Sequence, residues 1–289
     1  MNLEEKTRLA VALLPGPGAR HLERGAFLVL LLIGAAQFLV RDLQLPLGLA
    51  LIVVAGYGAV LLRRVRIASR DGLALLERGD PDAAAAVYFE VLQRYLLPPS
   101  WRASLGLSLG TCALMGGHAD RSIVLLRAVE ACRALPNAHA PTLAARLALN
   151  LLALDRVADA RVMVNKLRGD GGIDRRELAG IELLIEALTG SVDAALAAAA
   201  RVESLRHETR GDQSPRRARH ALGWLVNAWA WHRAAAARSG PERERAINQR
   251  TAALLRASGI PRTFYAYLSL VAPDFVAFAD EHAGPQWAA

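Results

Sequence analysis

Two long uncharged stretches near the start of the chain limit what it can fold into. The first covers residues 25–40 and the second residues 43–62, with a short charged link between them. As helices they would measure roughly 24 Å and 30 Å at about 1.5 Å per residue, against a hydrocarbon core of ~30 Å. We therefore predict a transmembrane helical hairpin over residues 25–62, with spans at 25–40 and 45–62. A hairpin buried in a soluble core and a cleaved signal peptide are the alternatives.

The arginines and lysines around these spans predict their orientation. Both outer flanks are basic, whereas the turn carries only Arg41 beside Asp42. The positive-inside rule then places both termini in the cytoplasm of a two-pass protein of the inner (cytoplasmic) membrane. Residues 1–24 would form a cytoplasmic segment, whose first 14 residues predict a short helix that lies on the membrane surface or frays.

A basic juxtamembrane linker is expected at residues 63–71. Its arginines are candidate contacts for anionic lipid headgroups: Arg63, Arg64, Arg66 and Arg70. A stop-transfer role, without lipid specificity, explains the same residues. The overall net charge of +8 belongs partly to these flanks, and no nucleic-acid-binding module accompanies it, so we do not expect nucleic-acid binding.

The rest of the chain shows apolar residues at helical spacing, interrupted by short turns. In the clearest stretch one helix stops at Gly79, and Asp80 caps the next, with Pro81 in its first position. Comparable turns follow at Gly117-His118, Asp155-Arg156 and Gly190-Ser191, at offsets of 38, 38 and 35 residues. A small residue recurs five positions after each turn, and a larger apolar residue follows four positions later in three of the four. The small residues are Ala84, Ser122, Ala160 and Ala195; the larger ones are Tyr88, Leu126 and Val164, with Ala199 in the fourth.

This pattern resembles the tetratricopeptide repeat (TPR) family. Gly72, Gly110 and Ala148 occupy the place where the first helix of a pair lies closest to the second, and Pro98 and Pro136 end the first two repeats. The resemblance implies an all-α fold in which residues 72–207 form a TPR-like α-solenoid of stacked antiparallel helix pairs. It also implies a surface that binds a partner protein or peptide.

Residues 208–289 predict a further helical pair and a capping helix over about residues 263–281, broken at Pro273. Three tryptophans lie on one helix of that pair, and basic residues gather where it begins. Candidate partner-binding residues are Trp224, Trp231, Arg216, Arg217, Arg219 and His220. The sequence favours core packing as the explanation of the tryptophans, and ion pairs with Glu203, Glu208 or Asp212 as the explanation of the arginines.

Motifs for catalysis are missing from the sequence. It contains no HExxH, no CxxC and no phosphate-binding loop, and we predict no catalytic residues, no cofactor and no metal site. Two cysteines, Cys112 and Cys132, cannot form a disulfide framework and are predicted as small core residues. The sequence thus favours a non-catalytic, membrane-anchored scaffold or adaptor. The alternatives are an enzyme with a dispersed site around His207, His220, Arg216 and Glu203, or a surface that binds anionic lipid or nucleic acid.

Overall fold

The computed structural model describes residues 3–16, 44–170, 175–189, 192–207 and 265–283, and the single residues 245 and 249. Every regular element in these ranges is helical, which confirms the all-α class for this part of the chain. The helices are α1 (Leu3–Leu13), α2 (Gln44–Glu77), α3 (Pro81–Arg94), α4 (Pro99–Met115), α5 (Ala119–Cys132), α6 (Ala140–Ala153), α7 (Val157–Asp170), α8 (Arg175–Thr189), α9 (Val192–His207), α10 (Tyr265–Val271) and α11 (Pro273–Ala283). A 3-10 turn, Asn137–His139, precedes α6.

Helices α2 to α9 pack as a row of four pairs. Each helix contacts its partner within the pairs α2–α3, α4–α5, α6–α7 and α8–α9, and each pair contacts the next along the chain. The first helices of pairs two, three and four also touch one another, α4 against α6 and α6 against α8. We call these three helices the first-helix layer. The row is the repeat-like packing that the sequence pattern predicted.

The turns inside the pairs explain why the helices end where they do. Asp80 accepts a hydrogen bond from the Ala83 backbone N–H at 2.9 Å, with Pro81 in the first turn, as predicted. Gly79 and Gly117 adopt left-handed backbone conformations, with φ of 78° and 81°. The third turn has no glycine, and Asp155 takes the left-handed conformation there, with φ of 56°. Aspartate tolerates this conformation better than most residues, so the same turn is built without glycine.

The predicted positions of close helix approach are confirmed in the first two pairs. A Cβ atom added to Gly72 would lie 2.6 Å from Tyr88 Oη, and one added to Gly110 would lie 2.6 Å from Leu126 Cδ2. Both distances are far below ordinary contact, so only glycine fits. The recurring small residues Ala84, Ser122, Ala160 and Ala195 are buried, as are Ala148, Tyr88, Leu126 and Val164. Cys112 and Cys132 are free and buried, as predicted.

Helix α2 is one uninterrupted helix of 34 residues. It contains the second expected span, residues 45–62, then residues 63–71, which were expected as a linker, and then the first repeat helix. Within the part of the chain that the structure describes, we find no helix whose length and apolar character suffice to traverse a bilayer. The first expected span, 25–40, lies outside the described residues.

The N-terminal helix α1 packs onto the row. It lies against α3 and α5, the second helices of the first two pairs, and against α4. Ala10 is buried in this contact, and Arg102 Nη1 donates to the Leu13 carbonyl oxygen at 3.3 Å. The helix was expected on the membrane surface or frayed; in the structure Leu9, Val11 and Leu13 are partly buried against the repeats.

The C-terminal helix breaks at Pro273, as predicted, so that α10 ends at Val271 and α11 begins at Pro273. Helix α10 packs against α4 and α6 in the middle of the row, whereas the sequence suggested a cap on its last pair. The physical reason is Tyr267 of α10, whose side chain is completely buried where α10 meets these two helices.

Candidate functional site: a groove on the first-helix layer

Helix α10 occupies a groove on the first-helix layer, between α4 and α6. Its contact with the end of α4 is close, because Ala266 meets the turn at Gly117. A Cβ atom added to Gly117 would lie 3.5 Å from Ala266 Cβ. Ala266 and the turn at Gly117 are therefore close enough for ordinary van der Waals contact.

Tyr267 and Leu268 fill the groove. Tyr267 is 0% exposed and Leu268 1% exposed. The Tyr267 hydroxyl donates a hydrogen bond to the Leu149 carbonyl oxygen of α6 at 3.1 Å. Burial raises the pKa of Tyr267 far above its usual value, against a smaller opposing effect from the Arg146 cation. The hydroxyl therefore remains protonated at any physiological pH. The groove thus buries the aromatic ring of Tyr267 while its hydroxyl keeps a hydrogen-bond partner.

A buried polar network lies beneath the groove and joins the second pair to the third. Asn150 Nδ2 donates to Ser122 Oγ at 2.8 Å and to the Arg146 carbonyl oxygen at 3.0 Å. Ser122 Oγ donates in turn to the Gly110 carbonyl oxygen at 2.6 Å. Hydrogen-bonded polar groups in a core fix the relative position of the helices that carry them. The network thus sets the spacing of α4, α5 and α6.

An ion pair with little exposure joins the third pair to the fourth. Arg146 Nη1 lies 3.2 Å from Glu177 Oε1, and the two side chains are 14% and 10% exposed. Two further ion pairs cross between α7 and α8, with Arg161 bound to Glu186 and Arg168 bound to Glu182. Both glutamates of α8 therefore bind arginines of the neighbouring helix.

Two mainly apolar cavities lie away from the groove, besides a smaller one of about 210 Å³ that is lined by Arg161, Arg168, Glu182 and Glu186. One of about 280 Å³ lies where α1 meets α3, α4 and α5, with apolar walls from Phe89 and Leu109 and a rim that includes Lys6, His118 and Arg121. The other, about 590 Å³, lies where α5, α6 and α7 meet, with Lys166 at its edge. Nowhere in the described ranges do three His, Cys, Asp or Glu side chains come together as metal ligands would.

The structure describes only some of the residues that the sequence proposed for binding. Arg63, Arg64, Arg66 and Arg70 all lie exposed on α2. The other candidates lie outside the described residues: Arg216, Arg217, Arg219, His220, Trp224 and Trp231. Sequence reasoning missed Tyr267, and the available signal was weak. It consisted of a short apolar segment with two tyrosines, Tyr265 and Tyr267, between two prolines.

The chain has no match in comparisons with protein-family models, with curated proteins or with solved structures. The resemblance to the TPR family therefore stays a prediction.

Proposed function

We propose that this protein is a membrane-anchored scaffold of the TPR-like class, which holds a partner protein or peptide through the groove on its first-helix layer. The hairpin over residues 25–40 and 45–62 would form the anchor, with both termini and the helix pairs in the cytoplasm. No catalytic step enters this proposal.

One observation carries the proposal of an anchor: residues 52–62 of α2 carry no charge, and all of them except Gly58 and Leu61 are exposed. Ile52 and Val53 are 69% and 68% exposed, and Val54, Tyr57 and Val60 are exposed as well. Consecutive helical residues point about 100° apart, so these side chains cannot all face one partner. Apolar groups on all sides of a helix are typical of a membrane span or of a helix in a large core.

The arginines that follow support the same arrangement. Arg63, Arg64, Arg66 and Arg70 are exposed on the next two turns of α2. At the end of a span they would lie at the level of the headgroups, where each positive charge near an anionic surface contributes about 1 kcal/mol. The helix then continues into the first pair, so the repeats would stand next to the bilayer.

The occupied groove supports the proposal of partner binding. It already holds a short helix by one buried tyrosine, one buried leucine and one hydrogen bond. Recognition of a helix in an apolar groove uses contacts of this kind. Leu270, on α10 at this groove, is 46% exposed, although it is a large apolar residue.

The anchor is tested by membrane fractionation with carbonate washing. We expect the wild-type chain to stay in the membrane and the double variant Val53→Glu/Val54→Glu to lose at least about half of this resistance, because both residues lie at the centre of the span 45–62, where a charge costs about 2.5–3.5 kcal/mol. Val162→Glu is the matched control, because Val162 is 67% exposed on α7. Extraction of the wild type by carbonate would contradict the anchor, and protection of the repeats from protease in inside-out vesicles would contradict the orientation.

Partner binding is tested by a photo-crosslinking amino acid placed in the full chain in cells. At Leu270 it should give one recurrent crosslinked protein, which the same residue placed at Val162 does not give. Identical products from both positions, or none from Leu270, would count against a partner at this groove. Turnover of a small molecule by the purified chain would favour an enzyme.

A further inference from the structure

We propose that α10 is an internal ligand of the groove, and that a partner binds by displacing it with a helix that carries adjacent Tyr and Leu residues. The proposal rests on the proposed function and specifies the partner's chemistry. It makes the groove a regulated site, closed while α10 lies in it.

Each position of the pattern follows from a contact. The residue in the place of Ala266 faces the turn at Gly117, where a Cβ atom added to Gly117 would make ordinary contact with Ala266 Cβ at 3.5 Å. The residue in the place of Tyr267 must bring an aromatic ring and a hydrogen-bond donor, since the Leu149 carbonyl oxygen lies 3.1 Å from the hydroxyl. The residue in the place of Leu268 is buried and apolar.

The way in which α10 is held indicates that it can leave. It has only seven residues, and a helix this short is not stable alone in water. Its buried residues within the helix are Tyr267 and Leu268, whereas Leu270 is exposed. The Tyr267 hydrogen bond joins residues 118 positions apart in the sequence. The four helix pairs contact one another without it, so its release leaves the pair-to-pair contacts in place.

An intramolecular occupant competes with any partner through its effective concentration. For a tethered segment this is on the order of 1 mM. If a free helix binds the empty groove with a Kd of about 100 µM, competition by α10 weakens its apparent affinity roughly tenfold. Release of α10 should therefore be measurable as an equal gain in affinity.

The first experiment measures binding of a fluorescein-labelled peptide of residues 263–284 to the full chain in detergent micelles. We expect Tyr267→Ala to bind the peptide about tenfold tighter than the wild type. Tyr265→Ala is the matched control, because Tyr265 lies on the same helix but its hydroxyl bonds to Asp280 at the surface. It should bind as the wild type does, and a peptide with Tyr267→Ala should bind to neither variant.

The second experiment locks the groove with the double variant Gly117→Cys/Ala266→Cys. The Cβ separation of 3.5 Å at this pair is within the range of disulfides. Cys112 and Cys132 are buried, so the new pair is the one that oxidises. Both redox forms share any strain from the positive φ of Gly117, which makes the reduced form an internal control. We expect the oxidised form to bind the peptide at least tenfold more weakly than the reduced form.

Equal peptide binding by the oxidised and reduced forms would overturn the proposal, and so would failure of every variant to bind the peptide. Neither result affects carbonate resistance or the crosslink from Leu270, so the scaffold proposal stands or falls separately. If Tyr267→Ala does not fold, Tyr267→Phe takes its place. That variant keeps the ring and loses the hydrogen bond, and a smaller gain in peptide affinity is expected.

Discussion

Gly110→Ala tests the close approach of α4 and α5 on which the row of helix pairs depends. The added Cβ would lie 2.6 Å from Leu126 Cδ2 and 2.8 Å from Leu126 Cγ. Tight Cβ contacts begin near 3.4 Å, so α4 and α5 would have to separate by about 0.8 Å or Leu126 would have to change rotamer. Leu126 is completely buried, which leaves it no free space.

The expected size of the effect is a balance of two terms. Overpacking a core by one methyl group typically costs about 1–3 kcal/mol. Replacing a helical glycine with alanine returns up to about 1 kcal/mol through helix propensity. With the full helix-propensity gain, we therefore expect a net loss of about 0–2 kcal/mol, centred near 1 kcal/mol, and a decrease in Tm of up to roughly 8 °C, at about 2–4 °C per kcal/mol for a chain of this size.

The assay is thermal unfolding of the full chain in detergent, followed by far-UV circular dichroism. Gly169→Ala is the matched control, because Gly169 is also helical and an added Cβ meets nothing within 4 Å. It should leave Tm unchanged or raise it. Leu126→Ala should cost less in the Gly110→Ala background than in the wild type, since the new methyl group fills part of the space. A Gly110→Ala chain as stable as the wild type, with additive double-mutant energies, would refute this packing argument.

Three further predictions concern single interactions. Ser122→Ala should destabilise the fold by about 1–3 kcal/mol, because it leaves the Gly110 carbonyl and one Asn150 N–H buried without their partner; urea unfolding measures this, and a loss below 0.5 kcal/mol would contradict it. Asp80→Ala should cost about 1 kcal/mol through loss of the N-cap of α3, and Asp80→Asn should restore most of it. Burial raises the pKa of Tyr88 from 10.0 to about 12, so the unfolded phenol ionises first and stability falls as pH rises from 10 to 12. Tyr88→Phe should flatten that decline in a series of urea midpoints, and an unchanged slope would count against the buried phenol.

The sequence predicted the helix pairs well because their signals are local. Asp80 with Pro81 marks a helix start within four residues, and Gly79 and Gly117 mark the turns. The close contacts of Gly72 and Gly110 follow from a fixed spacing within each pair. Such features depend on neighbours in the chain and need no knowledge of the tertiary structure.

The groove and its occupant could not be predicted in the same way. Tyr267 meets Leu149 from 118 residues away, and a tyrosine in a short apolar segment does not reveal which surface will bury it. The packing of α1 on α3 and α5 is also non-local, since its apolar residues suit a membrane surface or a protein surface equally. The tryptophan and arginine cluster over residues 216–231, the sequence's own candidate for binding, lies outside the described residues.

The continuity of α2 has a consequence for the orientation of the row of helix pairs relative to a membrane. A helix of 34 residues measures about 51 Å, and α2 is continuous from Gln44 to Glu77. If its first half lies in a bilayer, the number of residues between the lipid and the first pair determines where the groove lies. Each residue rotates the groove by about 100° around the helix axis and moves it by about 1.5 Å away from the lipid. The length of α2 between the lipid and the first pair would then determine the distance and the orientation at which a bound partner is held relative to the membrane.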